Sequence, residues 1–572
     1  MQVQTKGRLG PAARSDAWAA LDGGYVDVLV VGGGVTGAGV ALDAATRGLS
    51  VALVEARDLA SGTSSRSSKL FHGGLRYLEM LDFGLVREAL HERDLLLTKL
   101  APHLVTPVPF LYPLVRRFWE RPYVGAGLLL YDALAGRSPM PRHRHLSRSA
   151  ALARCPALRP DALVGALSYF DASADDARYT LTLARTAALH GAIIRSSTSV
   201  DALLQQDGRV TGAKLRDADT GDVISVNAGV VIGCTGVWSD DLHRMAGVPS
   251  PFRVRASKGV HLLVRRDAIH SETGLILRTE KSVLFVVPWG EHWVVGTTDT
   301  PWDLDLDHPA ATRADIDYIM DRVNRVLQRP LTDDDVVGVY AGLRPLLGPG
   351  EEAGKSTTTL SREHQVAHPL PGLVSVAGGK YTTYRVMAQD AVDEAVRDLA
   401  VGVATCVTDS VPLLGAVGHV AVRNRLPALS RRFGIPVETL ERMLGRYGDL
   451  IEEVLEPVGD DPTLAHVVPG APQHVMAEFL YGVTHEGALH LDDLLARRTR
   501  ISVDTSHRGV ESARAVAEAV AKVLGWAEHD VEREVSAYVK RVEQERASQA
   551  EHGDAAAQLT RSKALDLRTL AG

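Results

Sequence analysis

Gly32, Gly34 and Gly37 stand in a G-x-G-x-x-G spacing between an apolar run, YVDVLVV, and an alanine-rich run that stops at Gly48. That context gives each glycine a task. The first permits a tight turn from strand to helix, the second lets a pyrophosphate approach the backbone, and the third lets the helix pack on the strand. The free amides and positive dipole end of such a helix attract phosphate. A second apolar run, SVALVE, ends in Glu55. It falls about 20 residues after the glycines, where a carboxylate accepts ribose hydroxyls. The glycines alone would indicate only a turn. With two strands, a helix and the acid in place they indicate a dinucleotide, with NAD and FAD both open.

Small hydroxyl residues crowd the next stretch: Ser61, Thr63, Ser64, Ser65, Ser67 and Ser68. Such a loop can wrap a diphosphate and a ribose. Gly73 and Gly74 would then let the backbone run close along a flat ring, with Arg76 beyond it as a fork for an anion. The bland reading is a Ser/Gly linker. Leu70, Phe71, Leu75 and Leu78 interleave the polar residues and argue against it.

These residues need elements to hold them. DDARYTLTLARTAALHG has helical spacing, and IIRSSTSVDALLQQDGRVTGAKL…VVIGCTG reads as several strands with turns at DG and TG. The last strand ends in a glycine turn at Gly236. From about 251 to 341, alternating Val, Leu, Phe and Trp suggest a broad antiparallel sheet that could roof a cofactor. His261 lies on one of its strands. A lone histidine is more often structural; the functional reading makes it a hydrogen-bond partner or base for a hydroxyl. PLPGLVSVAGGKYTTYR reads as strand, Gly378–Gly379 turn and helix, with Lys380 at the positive helix end. Beyond about 400 the runs VETLERMLGRYGDLIEEVLEPV and RGVESARAVAEAVAKVLG are amphipathic helices.

DVLVVGGGVTGAGVALDAATRGLSVALVEARDLASGTSSRSSKLFHGGLRYLE resembles the amino-terminal signature of the FAD-dependent glycerol-3-phosphate dehydrogenases, among the D-amino-acid-oxidase-like flavoproteins. GTTDTPWDLDLD, GLRPLL, SREH, GGKYTTYR and LDDLLARRTRI resemble that family in the same order, so the likeness spans nearly the whole chain apart from the first ~20 and last ~25 residues. Tyr381 departs from it, where a smaller aliphatic residue is expected. The resemblance implies an α/β fold: a Rossmann-like FAD-binding domain of the glutathione-reductase/D-amino-acid-oxidase type, an antiparallel-sheet α+β substrate domain, and a C-terminal helical cap domain. Its implied segments are 22–95, 171–250 and 342–398 for the cofactor, 96–170 as a substrate/cap segment, 251–341 as the antiparallel-sheet substrate domain, 399–546 for the C-terminal helical domain, and a frayed tail over 547–572.

The resemblance also implies oxidation of sn-glycerol 3-phosphate to dihydroxyacetone phosphate, with hydride passed to flavin N5 and electrons to a quinone. It adds Lys69, His72, Thr382 and Thr383 to the cofactor candidates Gly32, Gly34, Gly37, Glu55, Thr63, Ser64, Ser67, Ser68, Gly73, Gly74, Gly236, Gly378, Gly379 and Lys380. Substrate candidates are Arg76, Tyr77, Arg344, Arg362 and Lys380, cations suited to a phosphate dianion. The base candidate is His261, while Arg344 could instead polarise the hydroxyl and Lys380 would offset negative charge on a reduced flavin. The rivals are an oxidase that reduces dioxygen, an amine oxidoreductase and a non-catalytic FAD-holding scaffold. Position alone would leave these arginines as surface residues, and Arg497, Arg498 and Arg500 as structural ion pairs.

The totals set limits. In 572 residues, 45% are hydrophobic and 23% charged, the composition of a globular protein. A net charge of −7 argues against nucleic acid as partner. Cys155, Cys234 and Cys406 show neither disulfide nor metal spacing. The start carries no apolar signal run. In LYPLVRRFWERPYVGAGLLLYDALAG, Arg116, Arg117 and Arg121 interleave with Phe118, Trp119 and Tyr123, a mixture suited to a headgroup interface; a substrate-domain helix and loop explains it equally well. The resemblance implies a cytoplasmic enzyme on the cytoplasmic face of the membrane, with a homodimer left open.

Overall fold

The computed structural model describes residues 7–78, 81–116, 118–279, 283–348, 363–564 and 566–569. The strand Tyr25–Val31 runs through the centre of an eight-stranded sheet. Its neighbours are Val223–Gly233 and Val51–Val54, both parallel to it. Leu373–Gly378 and Ile193–Arg195 extend the parallel set on either side. A strand covered on both faces has no wet side, which is why Val28 to Val31 form an unbroken apolar run. Helix Val35–Thr46 follows the glycine turn and packs between helices Asp176–Leu189 and Tyr384–Ala395. Its alanines and glycines permit that approach: a Cβ on Gly39 would meet the Tyr384 ring at 2.9 Å.

The second sheet has ten strands. Its long spine pairs Val254–Arg265 with Val336–Leu347, antiparallel from Val254/Leu347 to Val264/Val336. Two expectations change here. Thr106–Leu114, Arg144–Ser147 and Gly165–Ser173 belong to the same sheet, so segments 96–170 and 251–341 share one layer. They join where Thr106–Leu114 runs parallel to Gly274–Arg278, a parallel pair in a sheet expected to be antiparallel throughout. The strand Val336–Leu347 also runs past the expected boundary at 341, because its pairing with Val254–Arg265 continues to its end. Arg344 therefore projects from the substrate sheet.

The C-terminal region is a helical layer. Helix Val437–Tyr447 buries Leu440, Met443, Leu444 and Tyr447 on one side, the expected amphipathic stripe. Arg497 and Arg498 tie this layer to the cofactor domain through Asp58: Arg498 Nη1 and Nη2 lie 2.7 and 2.8 Å from its two oxygens. Arg500 Nη2 donates to the Ser65 carbonyl at 2.8 Å. The expected frayed tail is corrected. Helix Asp554–Arg561 packs on helix Glu528–Ser548 with Ala557, Gln558 and Arg561 buried. Buried Lys258 pairs with Asp554 and, at 2.6 Å, with Asp315. At the other end, helix Pro11–Leu21 packs on Ile193–Arg195, and Trp18 lies 4.2 Å beneath the Arg195 guanidinium. No described helix is long and apolar enough to cross a membrane.

Candidate functional site

The two sheets border a cavity of about 820 Å³, with Asp566 and Arg568 of the C-terminal segment in its wall. Gly32 and Gly34 form its floor at the start of helix Val35–Thr46. Gly32 has φ of 111°, and a Cβ there would meet the Cys234 carbonyl at 2.6 Å. A Cβ on Gly37 would lie 1.9 Å from the Gly32 carbonyl, so that glycine serves helix packing. Glu55 ends its strand and accepts from the Gly33 amide at 2.6 Å and the Arg57 amide at 2.9 Å. Burial pushes its carboxyl upward, and those two bonds work in the other direction.

The hydroxyl-rich loop spends much of its polarity on itself. Ser64 Oγ accepts from the Val35 amide at 2.9 Å, Thr63 Oγ1 donates to the Leu343 carbonyl at 2.6 Å, and Ser67 Oγ donates to Asp176 at 2.7 Å. Thr63, Ser64, Ser67 and Ser68 still line the cavity. Lys69 does not. Its Nζ lies 2.6 Å from Asp176 Oδ1 and 2.9 Å from the Ser65 carbonyl, and burial with the charge of Arg500 pulls it down to about 8. It is a buried brace beneath the loop, a correction to its cofactor role.

Gly73 and Gly74 have no room for a side chain, because the space a Cβ would take goes to protein. The Gly73 amide donates to the Tyr131 hydroxyl at 3.0 Å, and a Cβ there would meet Leu90 at 2.4 Å. Gly74 has φ of 75°, and its Cβ would meet the Tyr77 ring at 2.2 Å. Thr383 is buried away from the cavity at the start of helix Tyr384–Ala395, whereas Thr382 lines it and donates to the His72 carbonyl at 3.4 Å. Tyr381, where the sequence departs from the family, donates to the Asp176 carbonyl at 2.6 Å and packs on Phe71.

Gly236, Gly378 and Gly379 all line the cavity with φ of 59°, 74° and 80°, a backbone that glycine adopts at little cost. Lys380 follows, its Nζ 3.7 Å from the centre of the Tyr77 ring. Arg344 reaches in from the facing sheet, with Nη2 3.0 Å from Thr297 Oγ1 and Nη1 3.6 Å from Asp299. Gly259 leaves room for it: a Cβ there would lie 2.5 Å from Arg344 Nη2. His261 stacks on Tyr340 with centroids 4.9 Å apart, and its Nε2 is 2.8 Å from Ser68 Oγ. Its Nδ1 has no partner among the described residues. Burial, then the charges of Arg344 and Lys69, hold this imidazole well below its usual range, so it is neutral at neutral pH. His72 also lines the cavity. The Arg76 side chain and Arg362 lie outside the described residues.

Sequence reading missed Arg66, Trp238, Asp566 and Arg568, which line the same cavity. Arg66 lay in the quoted loop but carries no spacing signal. Burial and the charges of Arg541 and Arg561 lower it to about 9. Cys234 reaches the wall as a thiol pushed up to about 12 by burial.

A parallel sheet with a glycine-rich turn into a helix, roofed by a second sheet across a cavity, is the architecture of a dinucleotide-binding protein. The family model of FAD dependent oxidoreductases matches residues 27–385, and the C-terminal domain of alpha-glycerophosphate oxidase matches 406–531. The chain is 56% identical over 562 residues to glycerol-3-phosphate dehydrogenase 2 of Mycobacterium tuberculosis, covering 98% of this chain and 95% of that one. It is 36% identical to the human mitochondrial glycerol-3-phosphate dehydrogenase, covering 87% and 71%. The structure of the Bacillus halodurans glycerol-3-phosphate dehydrogenase complexed with FAD matches with a TM-score of 0.74 at 28% identity, covering 95% and 98%. This chain belongs to the FAD-dependent glycerol-3-phosphate dehydrogenase family. Its cofactor is FAD, and the glycine cradle, Glu55 and the left-handed turns at 236 and 378–379 fit that group.

Proposed function

We propose that this enzyme oxidises sn-glycerol 3-phosphate to dihydroxyacetone phosphate and passes the electrons to a membrane quinone. One observation carries the reading: two cations from facing elements, Arg344 and Lys380, share a cavity wall with a buried neutral imidazole, His261. Bound FAD supplies the two-electron acceptor. Arg344 and Lys380, joined by Arg76 and Arg362, bind the phosphate dianion and so fix the carbinol C–H. Tyr77 forms the wall beside Lys380. His261 takes the hydroxyl proton as the C–H pair leaves, which produces the ketone. A neutral base already desolvated needs no deprotonation before it acts.

Electron exit to a quinone requires contact with a bilayer. Phe118 is 89% exposed, and Trp119, Tyr123 and Leu129 are exposed too; the Arg116 guanidinium lies 5.4 Å from the Trp119 ring, which packs edge-on to Tyr123. Such a patch suits peripheral attachment to the cytoplasmic face. The reading is tested with purified holoenzyme under nitrogen, glycerol 3-phosphate and a soluble quinone. Quinone reduction matched by dihydroxyacetone phosphate is expected. Peroxide formed in air at an equal rate without quinone would move the acceptor to dioxygen. No turnover with any polyol phosphate would overturn the assignment.

A further inference from the structure

The last segment of the chain reaches back across the molecule. After helix Asp554–Arg561 it returns to the cofactor cavity, where Asp566 and Arg568 join Glu55, Arg57 and Thr198 in the wall. Asp566 Oδ2 lies 2.5 Å from Arg57 Nη1, and Arg57 Nη2 lies 3.0 Å from Asp307. His308 Nε2 stands 3.2 Å from the same guanidinium. Arg568 Nε donates to Ser197 Oγ at 3.1 Å, while its Nη2 meets both oxygens of Asp493, at 2.8 and 3.0 Å. Two short links thus join four regions: the end of strand Val51–Val54, the turn after Ile193–Arg195, the Asp307–His308 loop and the helical layer.

The position decides what this tie does. Arg57 stands two residues beyond Glu55, at the strand end where a dinucleotide fold holds the adenosine ribose. The tie therefore lies over the adenosine half of the cavity and away from the Arg344, His261 and Lys380 group. Its charges differ in exposure: the Arg568–Asp493 pair is buried, whereas the Arg57 and Asp307 side chains are 24% and 41% exposed. Burial alone would raise Asp566, yet His308 and Arg57 hold its carboxyl well below the usual range. Arg568 is held charged by Asp493 and Asp58 despite burial. Opening the Arg568–Asp493 pair would leave the buried Asp493 carboxylate without that partner.

We infer that residues 566–569 form a clasp that retains FAD, with Asp566 and Arg568 as positioning residues that must release before the adenosine half can leave. The inference rests on the cofactor cavity and not on the substrate or acceptor, so it stands or falls separately from the proposed reaction. The test follows flavin fluorescence as FAD leaves diluted holoenzyme, alongside the melting of the apoprotein. The expected result is release at least tenfold faster in full-length D566N/R568Q and in a chain ending at Ser562. In wild type the release should quicken with salt, and in D566N/R568Q it should not. Arg568→Lys, which keeps the charge, should hold FAD better than Arg568→Gln. Release within twofold of wild type in D566N/R568Q overturns the clasp. Faster release that follows a lowered apoprotein melting point, with no difference between Lys and Gln, overturns it too, since that marks a merely structural tail.

Discussion

His261 and Arg344 divide the work at the scale of single residues, and each leaves its own kinetic trace. Arg344→Ala removes charge-assisted bonds worth about 1.5 to 3 kcal/mol, so KM for glycerol 3-phosphate should rise roughly 10- to 100-fold with FAD still bound. Steady-state kinetics check this, and an unchanged KM would remove Arg344 from the phosphate site. His261 is held neutral by burial and by two nearby cations, so it carries no proton to lose near pH 6.5. The acid limb of kcat/KM against pH should then lie well below 6.5; a limb at 6.5 would exclude it as the base. The turn at Gly32 and the close packing at Gly37 were legible because their spacing is a backbone requirement. Lys69 was misread because its partner Asp176 comes from distant chain, which no local spacing reveals. Arg66 went unseen for the same reason.

Among the elements, the strands and amphipathic helices announced themselves by period, and the boundaries between segments did not. Val336–Leu347 crosses one such boundary because pairing with Val254–Arg265 outweighs composition. The tail looked frayed because helix Asp554–Arg561 is held by ion pairs with Lys258 and Glu545, and charge in a sequence reads as solvent exposure. Docking of the helical layer is electrostatic as well. His490 bridges Asp219 of the cofactor domain and Glu534 of the helical layer, each at 2.9 Å. Burial opposes its charge, but those hydrogen bonds prevail and raise it to about 9 from 6.5. A raised pKa means the stabilisation is complete below about pH 6.5 and fades as pH climbs through about 9. It is worth on the order of 3 kcal/mol. Denaturation midpoints should fall between pH 7 and 9, and His490→Gln should flatten that slope. An unchanged slope in the variant would place the pH dependence elsewhere.

For the whole molecule, no described helix is long and apolar enough to cross a membrane, so the proposed electron transfer to a membrane quinone needs a surface that docks on a bilayer. The exposed aromatic and basic patch at the start of helix Glu120–Ala135 gives one surface for it. Replacing Phe118, Trp119 and Tyr123 together by Ser should weaken flotation with anionic vesicles at least tenfold, while reduction of the bound flavin by substrate proceeds at the wild-type rate. Equal flotation would move the docking face. Composition said nothing about which face would meet a membrane, because that depends on which apolar residues the fold leaves uncovered. The central claim concerns substrate and cofactor together, and an anaerobic visible spectrum of the holoenzyme tests it most directly. Adding glycerol 3-phosphate should bleach the flavin bands, and glycerol at the same concentration should not. Bands that persist with the phosphate ester, or that bleach equally with glycerol, would contradict a site built around Arg344, Lys380 and His261 for a phosphate-bearing alcohol.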